Sequence, residues 1–261
     1  MSDELRYTTT DGIGWITFNR PAARNALTFA MYEGLAEICA AETAAPSLRA
    51  LVLTGAGEKA FAAGTDISQF RAFDGPEDAI AYEARLDRVL DTIERCPIPM
   101  IAALAGACTG GGAAIAACCD IRISAANLRF GFPIARTLGN CLSSGNIARL
   151  SALIGTARVK EIIFTARLLD AEEAKSCGLV SEVLPDHATL VARADALARG
   201  IAANAPLTLR ATKEAVRRLL GGQASKGSDD QDLILMCYLS QDFREGMEAF
   251  LAKRPPVWRG A

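Results

Sequence analysis

Apolar and polar positions change period several times along the first half of this chain. Short β-branched runs at 13–18, 50–54 and 100–104 are followed by turn residues, which predicts strands there, and 120–124 reads as a further short strand. Between them, apolar residues recur at helical spacing over 28–41 and 77–95. Strand, helix and strand in that order predict parallel pairing through right-handed crossovers. Past residue 142 the strand signal stops. The segments 147–153, 159–165, 171–177, 188–203, 207–220 and 229–250 all carry the composition and period of helices. The run 221–227, Gly-Gly-Gln-Ala-Ser-Lys-Gly, has no period and little to bury, so it reads as a flexible connector.

Composition narrows the class. Of 261 residues, 51% are hydrophobic and 22% charged, ample for one large buried core. The net charge of −2 leaves no basic stripe, so no nucleic-acid partner is expected, although a few local cations suffice for a small anion. Residues 1–6 are polar, and no run approaches the roughly 20 apolar residues that span a bilayer, so a cytoplasmic protein with no membrane partner is expected. The eight cysteines show no C-x-x-C pair and sit mostly among Ala, Ile and Leu, which favours buried free thiols. His187 is the single histidine and reads as a surface residue at a helix start, so no metal site is expected.

Candidate chemistry lies in two glycine-bearing turns, 54–67 and 105–114, each read as a strand running into a helix. Glycines there let backbone approach a ligand with no Cβ in the way. The free N–H groups of a helix start suit an oxygen that becomes negative during reaction. No Lys-Ser or Lys-Thr follows the glycines, so a nucleotide P-loop is a worse reading.

The segments Asn19-Arg20-Pro21-Ala22-Ala23-Arg24-Asn25-Ala26-Leu27, Phe61-Ala62-Ala63-Gly64-Thr65-Asp66-Ile67 and Gly110-Gly111-Gly112 together resemble the crotonase superfamily, the enoyl-CoA hydratase/isomerase family. Further matches in the same order are Cys119-Asp120-Ile121-Arg122-Ile123-Ser124, Glu173-Ala174 with Gly178-Leu179-Val180, and Phe243-Arg244-Glu245-Gly246-Met247-Glu248-Ala249-Phe250. The resemblance implies an α/β, crotonase-like spiral of ββα units over 1–200. It also implies a C-terminal helical region, 201–261, that packs on the core and on neighbouring subunits of a homotrimer or a hexamer built as a dimer of trimers. Residues 233–238 and 250–258 would then face a neighbour.

The same resemblance implies an acyl-CoA substrate, with coenzyme A entering as part of the thioester and no tightly bound cofactor. It makes the backbone N–H groups of Thr65 and Gly111 an oxyanion pair. Arg24 and Ala26 would flank the CoA moiety, Lys59 would lie near its phosphates, and Ala63, Gly64, Asp66 and Ile67 would run along the pantetheine. Composition alone reads Arg24 and Lys59 as solvated cations and Asp66 as a helix cap.

One part of the family pattern is missing. Hydratases of the family hold water between two glutamates, and the matching positions here are Ala114 and Ile134, or Ala135 if one residue is inserted before Gly139. Neither side chain moves a proton, and general acid–base catalysis typically contributes 10²–10⁴-fold. Arg136, Asn140 and Cys141 are candidate replacements from the loop that follows, Cys141 as a thiolate nucleophile or as buried packing and Arg136 as a fork for a carboxylate on the acyl group. Tyr82, Glu83 and Asp87 are candidates by location only, since some relatives in the family draw catalytic groups from the region matching the 77–95 helix, and a solvated helix face is the simpler reading of them. Hydration or double-bond isomerisation through a stabilised enolate leads. Decarboxylation, thioester hydrolysis and racemisation follow, and a non-catalytic acyl-CoA binding protein is the reading from another class.

Overall fold

A computed structural model describes residues 3–44, 48–71, 73–221 and 230–261. The chain opens with an antiparallel hairpin, β1 (Leu5–Thr10) and β2 (Ile13–Phe18), followed by α1 (Phe29–Ala44). Three strand–strand–helix units come next: β3 (Ala50–Gly55), β4 (Ala60–Ala62) and α2 (Pro76–Arg95); β5 (Met100–Leu104), β6 (Ala107–Thr109) and α3 (Gly111–Cys118); and β7 (Ile121–Ala125), β8 (Arg129–Gly131) and α4 (Ser144–Thr165). The chain continues through α5 (Ala171–Ser176), β9 (Glu182–Leu184), α6 (His187–Ala202), α7 (Pro206–Leu220), α8 (Gln231–Tyr238) and α9 (Gln241–Leu251).

The first strand of each unit joins a six-stranded sheet in the order β1-β2-β3-β5-β7-β9, parallel from β2 onward, and the second joins a three-stranded parallel sheet, β4-β6-β8. This alternation makes the expected spiral of ββα units. Side chains of the larger sheet alternate between two buried clusters, as the pleat requires. Ile16, Phe18, Leu51, Leu53, Met100 and Ala102 face the smaller sheet and α1 to α3. Ile13, Ala50, Val52, Ile101 and Ala103 face α6, which answers with Leu190, Ala194 and Ala198 at a spacing of four.

Two details depart from the expected elements, and a third refines one of them. The three-residue strands β4, β6, β8 and β9, and the hairpin strand β1, were not anticipated. The segments 147–153 and 159–165 are two helical stretches, as expected, joined within α4 by a kink at the non-helical Gly155, φ 77°. The last helical run divides at Leu239 and Ser240, because the Ser240 side chain accepts from the Phe243 N–H and starts a new helix. Of the connector 221–227, Gly221 closes α7 and the rest lies outside the described residues.

Candidate active site

Pairing of β4 with β6 brings the two glycine turns side by side, with Ala60 opposite Ala107 and Ala62 opposite Cys108. A Cβ on Gly112 would stand 2.3 Å from the Ala62 carbonyl oxygen, and one on Gly111 would stand 1.8 Å from the Tyr32 hydroxyl. Only glycine lets the turns approach this closely. Leu27 pairs with Thr65 as an isolated parallel bridge: Leu27 N–H donates to Gly64 C=O and Asp66 N–H donates to Leu27 C=O, both at 2.8 Å. Strand geometry then turns the Thr65 N–H to the opposite side. Among the described residues neither that N–H nor the Gly111 N–H, in the first turn of α3, has an acceptor.

Thr65 and Gly111 both line a cleft of about 200 Å³ whose walls include Ile67, Phe70, Leu86, Phe132, Leu138 and Leu142. Ala114 and Ile134 line it as well, so its surface is apolar where carboxylates were expected from the resemblance. A larger cavity of about 430 Å³ lies away from both turns, against Ala117 and Ile121 on one side and Lys213 of α7 on the other. Size does not decide here, because the smaller cleft is the one that Thr65 and Gly111 line.

Side-chain hydroxyls support the first turn from behind. Thr65 Oγ1 lies 2.9 Å from the Tyr32 hydroxyl and 3.1 Å from the Tyr82 hydroxyl. Burial pushes both phenols above the usual tyrosine range, so each keeps its proton at neutral pH. The Tyr82 ring packs edge-on against Phe70 at 4.9 Å and is tilted against Phe29 and Phe73, which fixes α2 against the turn.

The segment 20–27 closes over the same turn. Asn25, fully buried, accepts from Arg20 N–H and donates to the Ala56 and Ala60 carbonyls through Nδ2. Ala63 N–H donates to Arg24 C=O at 3.0 Å, and the Ala26 carbonyl accepts from Arg20 at 2.6 Å. Arg20 also pairs with Asp66 at 2.9 Å. The Asp66 carboxylate caps a 3-10 turn, Ile67–Phe70, rather than the longer helix expected; hydrogen bonds from Ser68 first and Arg20 next hold it below the usual aspartate range. Ile67 is 61% exposed at the mouth of the cleft. Arg24 and Lys59 are exposed at either side of the segment leading to Thr65, and among the described residues neither has an ion-pair partner.

The loop candidates separate. Arg136 does not line the cleft: the 3-10 turn Pro133–Ala135 sends Ile134 inward and carries Arg136 out, where its guanidinium donates to the Thr165 carbonyl at 2.8 Å. Cys141 and Asn140 do line it, and Cys141 is exposed, against the expectation of buried packing. Cys39, Cys96, Cys108, Cys118 and Cys119 are buried, while Cys177 and Cys237 are half-buried. On α2, Tyr82 and Glu83 line the cleft, and Asp87 accepts from the Ser143 hydroxyl at 2.8 Å, tying α2 to the start of α4. Burial, and secondarily the charge of Asp87, raises the Glu83 carboxyl above the usual glutamate range. Sequence reasoning assigned nothing to Asn25 or Tyr32. The buried polar Asn in the first resembling segment was a readable signal, whereas nothing marked Tyr32.

A family model described as enoyl-CoA hydratase/isomerase matches residues 8–261. The short-chain-enoyl-CoA hydratase of Clostridium acetobutylicum is 34% identical over 240 residues, which are 92% of this chain and 91% of that one. The crotonyl-CoA hydratase of Syntrophomonas wolfei is 36% identical over 240 residues, 90% of each chain. The crystal structure of an enoyl-CoA hydratase/carnithine racemase from Magnetospirillum magneticum superposes with a TM-score of 0.93 at 37% identity, covering 100% of this chain and 97% of that one.

Proposed function

Since the chain belongs to the enoyl-CoA hydratase/isomerase family, we propose that it transforms an acyl-CoA thioester through an enolate whose oxygen is held by the backbone N–H groups of Thr65 and Gly111. The observation that carries this reading is the pair of amides without acceptors, opening together on one apolar cleft. Such donors are aligned before the reaction begins, so no reorganisation is needed as charge develops, and losing one typically costs about 10²–10³-fold in rate. A dry wall strengthens the interaction, because the field of a dipole is poorly screened where water is excluded.

Coenzyme A is read as part of the substrate. Arg24 and Lys59 are exposed cations without carboxylate partners among the described residues and so are free to meet its phosphates, while Ala26 and the segment 63–67 are read as flanking the pantetheine on its way to Thr65. The reaction is read as isomerisation of an enoyl double bond or addition of water to it. With Arg136 turned to the Thr165 carbonyl, the feature that motivated a carboxylated acyl group is gone. The apolar face of α8 and α9, with Tyr238, Leu239, Phe250 and Leu251 at 61%, 70%, 84% and 75% exposure, is read as covered by further copies in a trimer or a dimer of trimers.

The test is incubation with crotonyl-, 3-enoyl-, branched and carboxylated acyl-CoA thioesters in D₂O, with products followed by mass spectrometry. Turnover or deuterium uptake at the α-carbon supports enolate formation. Binding with neither product nor exchange makes the protein an acyl-CoA binder and overturns the reading.

A further inference from the structure

Among the described residues lining the cleft, Glu83 is the one carboxylate. Its position is unusual for its helix. The inward stripe of α2 runs through Leu86, Leu90 and Ile93, and three residues before Leu86 the same stripe falls on Glu83, where the period asks for an apolar side chain. The other acids of α2 are differently placed: Asp78 accepts from backbone N–H groups at the helix start, Asp87 accepts from Ser143, Asp91 pairs with Arg95, Glu94 pairs with Arg149, and Glu77 lies exposed in the first turn. Glu83 is half-buried and has neither a hydrogen bond nor an ion pair among the described residues. A carboxylate held in apolar surroundings without a partner costs stability, and such groups concentrate where a proton must be moved. Among the described residues the groups around it include no cation: Asp87 and Tyr82 on its own helix, Tyr32 from α1 and Cys141 from the loop that lines the same cleft.

We propose that Glu83 is the catalytic base and acid of this site, taking a proton from the acyl chain and giving it back. Its ionised oxygen removes a proton from the carbon next to the thioester carbonyl. The C–H bond breaks, an O–H bond forms on Glu83, and the electron pair moves into an enolate whose oxygen the Thr65 and Gly111 N–H groups hold. Swapping of that proton on the Glu83 carboxyl for one from solvent, followed by return to the α-carbon, gives exchange, and delivery of a proton to the γ-carbon of the dienolate formed from a 3-enoyl thioester relocates the double bond. Neither outcome consumes a co-reactant. A single carboxylate therefore suffices for isomerisation, with no second acid holding water. The inference rests on the enolate reading above and goes on to name the group that moves the proton.

The test compares wild type, Glu83→Gln, Glu83→Asp and Glu77→Gln for α-deuterium uptake and 3-enoyl to 2-enoyl conversion, with crotonyl-CoA affinity and thermal melting measured alongside. Glu83→Gln is expected to lose at least about 100-fold in both rates, the ordinary range for a missing acid–base group, with affinity held within about twofold. Glu83→Asp should recover part of the loss, and Glu77→Gln should match wild type. The wild-type kcat/KM profile should show an acidic limb above the ordinary glutamate value of about 4.3, absent from the residual rate of Glu83→Gln. Because the fold raises the Glu83 pKa, its ionised form subtracts stability above that pKa, so the glutamine variant should melt no earlier than wild type at pH 8. A Glu83→Gln rate within about threefold of an active wild type, or affinity and melting temperature falling together with the rate, overturns the assignment and leaves the enolate reading standing. A wild type that binds thioesters without exchange or turnover overturns both.

Discussion

The two walls of the cleft are made in opposite ways. On one side, the turns after β4 and β6 present backbone N–H groups, and what matters there is that side chains are missing: Gly111 leaves room for the Tyr32 hydroxyl and Gly112 for the Ala62 carbonyl. On the other side, α2 presents a side chain, Glu83, on a helix face that is otherwise apolar. The first wall should be indifferent to the identity of Thr65, because any residue but proline carries an N–H. The second depends on one chemical group and leaves the backbone unconstrained.

Substitutions that exchange these rules should have unequal consequences. The largest is expected at Gly112→Ala. The added Cβ meets a backbone carbonyl at 2.3 Å, so the turns must separate. Overpacking of this kind typically costs about 1–3 kcal/mol, and displacing one amide donor about 100-fold in rate, to be read by thermal melting and thioester turnover. Thr65→Val should do much less. It keeps the N–H and the branched shape but loses the contacts to the Tyr32 and Tyr82 hydroxyls, so about 1 kcal/mol of stability is expected to go while kcat stays within about threefold. An equal collapse at both positions would mean that the Thr65 hydroxyl, and not its amide, matters.

The smallest effect probes the opposite wall. Asp87 raises the Glu83 pKa by like charge, so Asp87→Asn should move the acidic limb of the rate profile to lower pH and leave the plateau rate unchanged. The amide oxygen of asparagine still accepts from Ser143. An unmoved limb would separate that titration from Glu83.

The backbone wall was readable in the sequence and the side-chain wall was not. Glycines at 64 and 110–112 stand out because each meets a constraint that disfavours a side chain, a positive φ at Gly64 and Gly110, the Tyr32 hydroxyl at Gly111 and the Ala62 backbone at Gly112, and such constraints leave a mark that one sequence carries. The long strands 13–18 and 100–104 were equally plain, since each is a largely apolar run of five or six residues with turn signals after it. Strands β4, β6 and β8 did not, because three residues are too few to display alternation, and yet β4 and β6 bring the turns together. Tyr32 acts on Gly111 across a sequence gap that no local pattern spans. Glu83 was named by its place on a helix only, as its meaning comes from partners it lacks. Arg136 was misplaced because a 3-10 turn, set by local backbone geometry, decided which neighbour faced inward.

The central claim is that the thioester carbonyl is gripped by two backbone donors, and vibrational spectroscopy reads that grip at the bond itself. Crotonyl-CoA labelled with ¹³C at the carbonyl would be bound to Glu83→Gln, which is expected to hold it without consuming it, and the isotope-edited infrared difference spectrum recorded. Two hydrogen bonds to the oxygen should move the carbonyl stretch of the bound thioester clearly below its frequency in water. A band at or above the free-solution frequency would contradict the account, since the amides of Thr65 and Gly111 would then be gripping nothing.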